Sequence, residues 1–238
     1  MSRIVKYWSL LLFAVLMSST VLANCSSDNN SKSISTEQAN QTMEFFQAID
    51  KQDIAQVKRL IRDKANLEVV NKKGQTPLMY ALYKAYNDIA SLLIDAGANV
   101  NAQDDMLNSP FLYAGAEGNL QIAQKALSHG ADFQVFNRYG GTALIPAAEK
   151  GHLDMVILLA NTKGFPIDHV NNLGWTAIME VVLIGKGSMQ TQIQITKELI
   201  KAGVDVNIPD NKGVTALSHA IELGKKQIAE LIKNAGGK

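Results

Sequence analysis

The 238-residue chain has one cysteine, five prolines, two tryptophans and only 6% aromatic residues. With Cys25 alone there is no second thiol for an internal disulfide, and exported chains normally pair their cysteines, so this one needs another explanation. The formal net charge is +1 and no long run of one sign occurs, which excludes the concentrated basic stripe of a nucleic-acid-binding surface. Chemistry-bearing motifs are also missing. No Gly-x-Ser-x-Gly element occurs. Gly185-Lys186-Gly187-Ser188 lacks the further glycine that a phosphate-binding loop places five residues before its Gly-Lys; Glu180 stands there, and a helix rather than a strand is expected before it. His129, His152, His169 and His219 fall at unrelated positions, none four residues from another ligand type, so no metal site is implied. Nothing meets the geometric requirement for acid–base or nucleophilic catalysis. The chain reads as a non-enzyme that uses no cofactor.

What the chain does have is a period. Thr76-Pro77 recurs as Ser109-Pro110, Thr142-Ala143, Thr176-Ala177 and Thr215-Ala216, in steps of 33, 33, 34 and 39 residues. A glycine follows on nearly the same period, at Gly97, Gly130, Gly164, Gly203 and Gly236. A repeat near 33 residues with a Thr-Pro-Leu element predicts stacked helix pairs and a long binding surface. Apolar residues make up 47% of the chain, enough to bury a sizeable core.

The second unit shows the logic. Thr76 suits an N-cap and Pro77 the first helical position, where no donor is missed. Leu78, Ala81 and Leu82 share one helical face, and Ile89, Leu92 and Leu93 share a face of the next helix. Gly97 supplies the left-handed residue that ends it. Residues 37–66 read as a first, degenerate unit, with Lys64 where the others have glycine, and the last unit closes with a polar helix rich in Lys225, Lys226 and Lys233. Irregular end units are expected because one side faces solvent.

Three segments follow from this pattern. Residues 1–23 read as a secretory signal: Arg3 and Lys6, then the apolar run Tyr7–Met17, then small residues up to Ala23. That run is shorter than the roughly 20 apolar residues of a spanning helix. Residues 24–35 read as a polar tether, too poor in apolar side chains to fold. Residues 36–238 form the repeat domain, in units of about 37–70, 71–103, 104–136, 137–170, 171–209 and 210–238. Two processing routes stand open at the signal. A cut after Ala23 leaves Asn24-Cys25 at the terminus; alternatively Leu22-Ala23-Asn24-Cys25 resembles a bacterial lipobox, with Cys25 acylated and Asn24 where Gly, Ala or Ser is usual. Export to the periplasm or anchoring at the outer membrane through Cys25 is the corresponding expectation.

Thr76-Pro77-Leu78, Gly151-His152-Leu153-Asp154, Asp95-Ala96-Gly97-Ala98-Asn99-Val100-Asn101 and Gly203-Val204-Asp205-Val206-Asn207 resemble ankyrin repeats. The resemblance covers residues 41–238, and the stretches Asn137–Thr142 and Asp168–Thr176 resemble exported bacterial members. It implies an all-α solenoid of about six stacked helix pairs, a monomer that binds a protein partner through turn tips and the concave face. One departure stands out. The family's histidine after Thr-Pro-Leu is replaced in every unit, by Met79, Leu112, Ile145, Met179 and Ser218, so its hydrogen-bond network between turns is in doubt and more of the stacking must be apolar.

On that resemblance the tips include Met106, Arg138, Tyr139, Leu173 and Trp175. Tyrosine, tryptophan and arginine are over-represented among residues that dominate interface energy, so this group is the expected contact surface, with Tyr139 and Trp175 as anchors. Trp175 taken alone fits packing on the neighbouring turn better. The 39-residue step adds a polar, flexible insertion around Ile184–Gln194, and insertions of this kind map to loops on one face, often the binding face.

Overall fold

Twelve helices follow one another in pairs in the computed structural model, which describes residue 40 and residues 42–238. Residues 1–23, read as a signal, and 24–35, read as a tether, with Cys25 among them, lie outside the described residues. The helices are α1 over 42–50, α2 (Ile54–Arg62), α3 (Pro77–Tyr83), α4 (Asn87–Asp95), α5 (Pro110–Glu117), α6 (Leu120–Ser128), α7 (Leu144–Lys150), α8 (Leu153–Ala160), α9 (Ala177–Leu183), α10 (Met189–Lys201), α11 (Ala216–Glu222) and α12 (Lys226–Asn234). No strand occurs among the described residues. From α3 on, each odd-numbered helix stacks on the next: α3 on α5, α5 on α7, α7 on α9 and α9 on α11. The even-numbered helices form the second layer, with α2 on α4, α4 on α6, α8 on α10 and α10 on α12.

The first helix of each pair is short because its ends are specified closely. Thr76 Oγ1 accepts from the Met79 amide at 3.2 Å and Ser109 Oγ from Leu112 at 3.2 Å, each with proline at the first helical position. A side-chain cap of this kind contributes ~1 kcal/mol. The glycines that end the second helices, from Gly97 to Gly236, all have positive φ, and Lys64 takes the same backbone in the first unit at φ 55°. Thr142 and Thr176 differ from the other repeat threonines. Their hydroxyls are buried without a hydrogen-bond partner, and neither caps its helix. No histidine lies one turn further on to join them in a network, which is the loss expected from the replaced family histidine.

One core runs through all six units, from Phe45 to Ile232. Alanines at 81, 114, 147, 148 and 220 let the first helices approach closely. Gly115 goes further: a Cβ there would sit 2.6 Å from that of Ala143 in the next unit. Larger side chains fill the space behind them. Fully burying residues such as Leu78, Leu93, Ile122 and Leu159 contributes about 1.5–3 kcal/mol each. An aromatic series, Phe111–Phe133–Phe165, joins the third unit to the fourth with ring centroids 6.0 and 5.0 Å apart.

The insertion corrects one expectation. It is not a flexible loop over Ile184–Gln194: only residues 184–188 lie outside helix, and the remainder lengthens α10 to 13 residues, against 8 or 9 in α2, α4, α6, α8 and α12. Ser188 Oγ caps the new turn by accepting from the Thr191 amide at 3.0 Å. Ile193, Ile195 and Leu199 then bury an apolar face. Gln192, also buried, donates to the Gly185 carbonyl at 2.7 Å and accepts from Lys225 at 2.8 Å. Polar residues that looked like loop chemistry are the internal hydrogen bonds of a folded corner.

Candidate functional site

Each turn tip is built around one carboxamide or carboxylate. Asn71, Asp104, Asn137, Asn171 and Asp210 each use Oδ1 to accept from the amides two and four residues on, at 2.8–3.2 Å. Their amides in turn donate to the carbonyl four residues on, which closes the tip. Local bonds of this kind compete with helix and strand and favour turns. The positions repeat in steps of 33, 33, 34 and 39, the same as the threonines, yet sequence reasoning missed them because the residue alternates between Asn and Asp. At the φ > 0 position of four tips stands Gly74, Gly140, Gly174 or Gly213; the third unit has Leu107 there, at φ 56°.

These frames present side chains of different character along the stack. The second and sixth tips show Lys72, Lys73, Asn211 and Lys212. The three tips between them show exposed apolar side chains: Met106 and Leu107, then Tyr139, then Leu173. Arg138 lies over the Tyr139 ring, 4.7 Å from its centroid. Met106 and Arg138 share a groove of about 660 Å³ with Tyr83, Asp104 and Asn108. Within it Tyr83 donates to Asp104 at 2.8 Å and accepts from Asn108 at 2.8 Å, and burial first raises its phenol to about 12. Tyr139 and Leu173 share a second groove, of about 300 Å³. Trp175 lines neither groove. It is partly buried against the core, which is the packing role and not that of an exposed anchor.

The floor of the second groove holds a residue that sequence reasoning passed over. Glu180, on α9, is 4% exposed. Its Oε1 accepts from Asn171 Nδ2 at 2.9 Å, while Oε2 has no hydrogen-bond partner. Burial first, and the neighbouring Glu149 second, raise its carboxyl to about 7. Glu149, on α7, pairs with Lys186 of the insertion at 2.8 Å and holds the Lys186 ammonium above its ordinary range. Buried charge with one oxygen unpaired is costly in a folded chain, and such groups concentrate at functional sites.

The histidines have separate local partners. His129 contacts the Lys125 carbonyl at 2.8 Å, His169 donates to the Gly140 carbonyl at 2.6 Å and stacks on Phe136, and His219 donates to Asp210 at 2.9 Å. The His152 ring sits against Gly118. Among the described residues no group of three or more His, Cys, Asp or Glu is placed to hold a metal ion, and no helix is long and apolar enough to cross a membrane.

The family model for ankyrin repeats in three copies matches residues 20–104 and 111–186. The chain belongs to the ankyrin-repeat family. It is 33% identical over 195 residues to the ankyrin repeat protein YahD of Escherichia coli (strain K12), which spans 81% of this chain and 96% of that protein. An ankyrin repeat domain from Acinetobacter baumannii AYE is 43% identical, with a TM-score of 0.78 over 82% of this chain and 98% of its own. A chain from the complex of a predatory endopeptidase of Bdellovibrio bacteriovorus with an immunity protein is 26% identical, with a TM-score of 0.63 over 80% of this chain and 97% of its own. Ankyrin repeats are protein-interaction modules and generally not enzymes. That gives the tips and grooves their context: in a fold of filled helix pairs, the variable surface is where specificity resides.

Proposed function

We propose that this ankyrin-repeat chain is a non-catalytic binding module of the bacterial cell envelope that holds a protein partner across its third, fourth and fifth tips. One observation carries the reading. Three consecutive tips expose Met106, Leu107, Tyr139 and Leu173 while the interior is already filled, so these apolar side chains have no internal role. The Asx frames hold them rigidly, which lowers the ordering cost of binding. Residues 1–23 as an export signal supply the envelope location. A cut after Ala23 and acylation of Cys25 are told apart by the intact mass of the mature chain.

Capture from an envelope extract with wild-type bait and with a Tyr139→Ala/Leu173→Ala bait tests the reading. Losing ~2 kcal/mol at a hot spot weakens binding about thirtyfold, so the partner should be depleted from the variant capture. Identical recovery with both baits overturns the assignment of the surface. A second reading, an inhibitor or protector of one exported enzyme, is favoured by the similarity to a chain from an endopeptidase–immunity protein complex. It requires a single stoichiometric partner whose activity changes on binding.

A further inference from the structure

We propose that the groove between the fourth and fifth tips receives a basic side chain, lysine or arginine, of the protein partner, its stem between Tyr139 and Leu173 and its cationic end against Glu180 and Glu149. The inference rests on the protein-binding reading and names what this part of the surface recognises.

Two independent observations meet here. The first is shape: a groove of about 300 Å³ with Tyr139, Pro146, Leu173 and Ile184 on its walls suits an apolar stem. The second is an acidic floor with an unmet demand. Glu180 is nine-tenths buried and lines the groove, and Oε2 has no donor. Among the described residues its carboxylate accepts only from the neutral amide of Asn171, at 2.9 Å, so in its ionised form the charge is uncompensated.

The charged groups nearby are engaged elsewhere. From the fourth tip, Arg138 lies over the Tyr139 ring. From α7, Lys150 pairs with Glu117 at 2.7 Å, and Glu149 adds a second negative charge to the groove. From the insertion, Lys186 pairs with Glu149 at 2.8 Å and is largely exposed. From α11, packed on α9, His219 donates to Asp210. The one lysine of the insertion pairs with Glu149 and not with Glu180, and the group that would complete the site is a cation. Lysine and arginine both present a long apolar stem and a terminal positive charge, and both can snorkel along apolar walls to a carboxylate. A cation bound there would draw the raised carboxyl of Glu180 back toward the ionised form.

The test is an amide NMR titration of the full chain with three capped peptides, Gly-Arg-Gly, Gly-Lys-Gly and Gly-citrulline-Gly. The expected result is saturable shifts centred on Tyr139, Leu173 and Glu180 for the arginine peptide, the lysine peptide or both, with binding at least tenfold weaker for citrulline. Glu180→Gln keeps an acceptor for Asn171 and should weaken the cationic peptides by a similar factor. Equal binding of citrulline, or no shifts with either cationic peptide, overturns the proposal, and neither result depends on the variant folding. Failure of the broader reading looks different: the peptides bind at Glu180, yet no protein is captured through Tyr139 and Leu173.

Discussion

Asn171 Nδ2 donates to Glu180 Oε1 across 2.9 Å, while Asn171 Oδ1 accepts from the amides of Leu173 and Trp175. One amide side chain therefore ties the tip that displays Leu173 to the buried carboxyl beneath it. Any change in charge at Glu180 acts directly on the geometry of that tip.

The first prediction concerns pH. Glu180 titrates at about 7 in the folded chain against an ordinary 4.5. The folded state thus binds more protons between these values, so Glu180 contributes stability that is full below pH 4.5, falls as pH rises toward 7 and stays constant above it. Between pH 5 and pH 8 the loss from a shift of this size is roughly 2–3 kcal/mol. Urea unfolding at pH 5 and pH 8 should show this loss in the wild type and lack it in Glu180→Gln. An unchanged pH profile in the variant would sink the assignment.

The repeat threonines should separate into two classes. Thr76 caps α3, so Thr76→Val is expected to cost ~1 kcal/mol. Thr176 buries a hydroxyl with no partner, so Thr176→Val should be neutral or stabilise by up to ~1 kcal/mol. Equal losses at both sites in chemical denaturation would contradict the distinction.

Leu107 stands in left-handed backbone where four other tips have glycine. Left-handed backbone costs an ordinary residue roughly 1–2 kcal/mol, and glycine returns part of that as lost chain entropy. Leu107→Gly should therefore stabilise by about 0.5–1 kcal/mol, read as a higher urea midpoint. The same variant should bind the partner more weakly, because Leu107 is exposed beside Met106. A lower midpoint refutes the strain argument.

Gln192 links the insertion to the sixth unit through Lys225, whose ammonium is pushed below its ordinary range by burial. Gln192→Ala leaves that ammonium one acceptor short, and a drop of about 1–3 kcal/mol is expected. Thermal unfolding of the variant without any drop would mean the corner is held by its apolar face alone.

The helix pairs were legible because their signals are local: a threonine cap, a proline at the first position, a glycine at the end. Met106, Arg138, Tyr139 and Leu173 were placed at tips by the resemblance to ankyrin repeats. The packing of Trp175 on the neighbouring turn was the expectation for that residue alone, and its partial burial accords with it. The insertion misled because the polar Gln190, Thr191, Gln192 and Gln194 read as a continuation of the loop at Gly185–Ser188, whereas Ile195 and Leu199 already had helical spacing. Glu180 entered the sequence only as the residue that breaks a phosphate-loop pattern. Its importance arises from burial by α7 and the fifth tip, which no local pattern encodes.

The insertion also changes how the stack comes apart. In a simple repeat array each unit holds only its neighbours, and the ends open first. Here the Lys186 amide donates back to the Glu149 carbonyl at 2.6 Å, and Gln192 reaches forward to Lys225. Three units are laced together through one corner, so they should open as a single block, while the amino-terminal units fray one after another. Amide exchange would then form a graded ladder over the first half and a shared rate over the second. The partner-facing tips at 139 and 173 lie within the block that opens last.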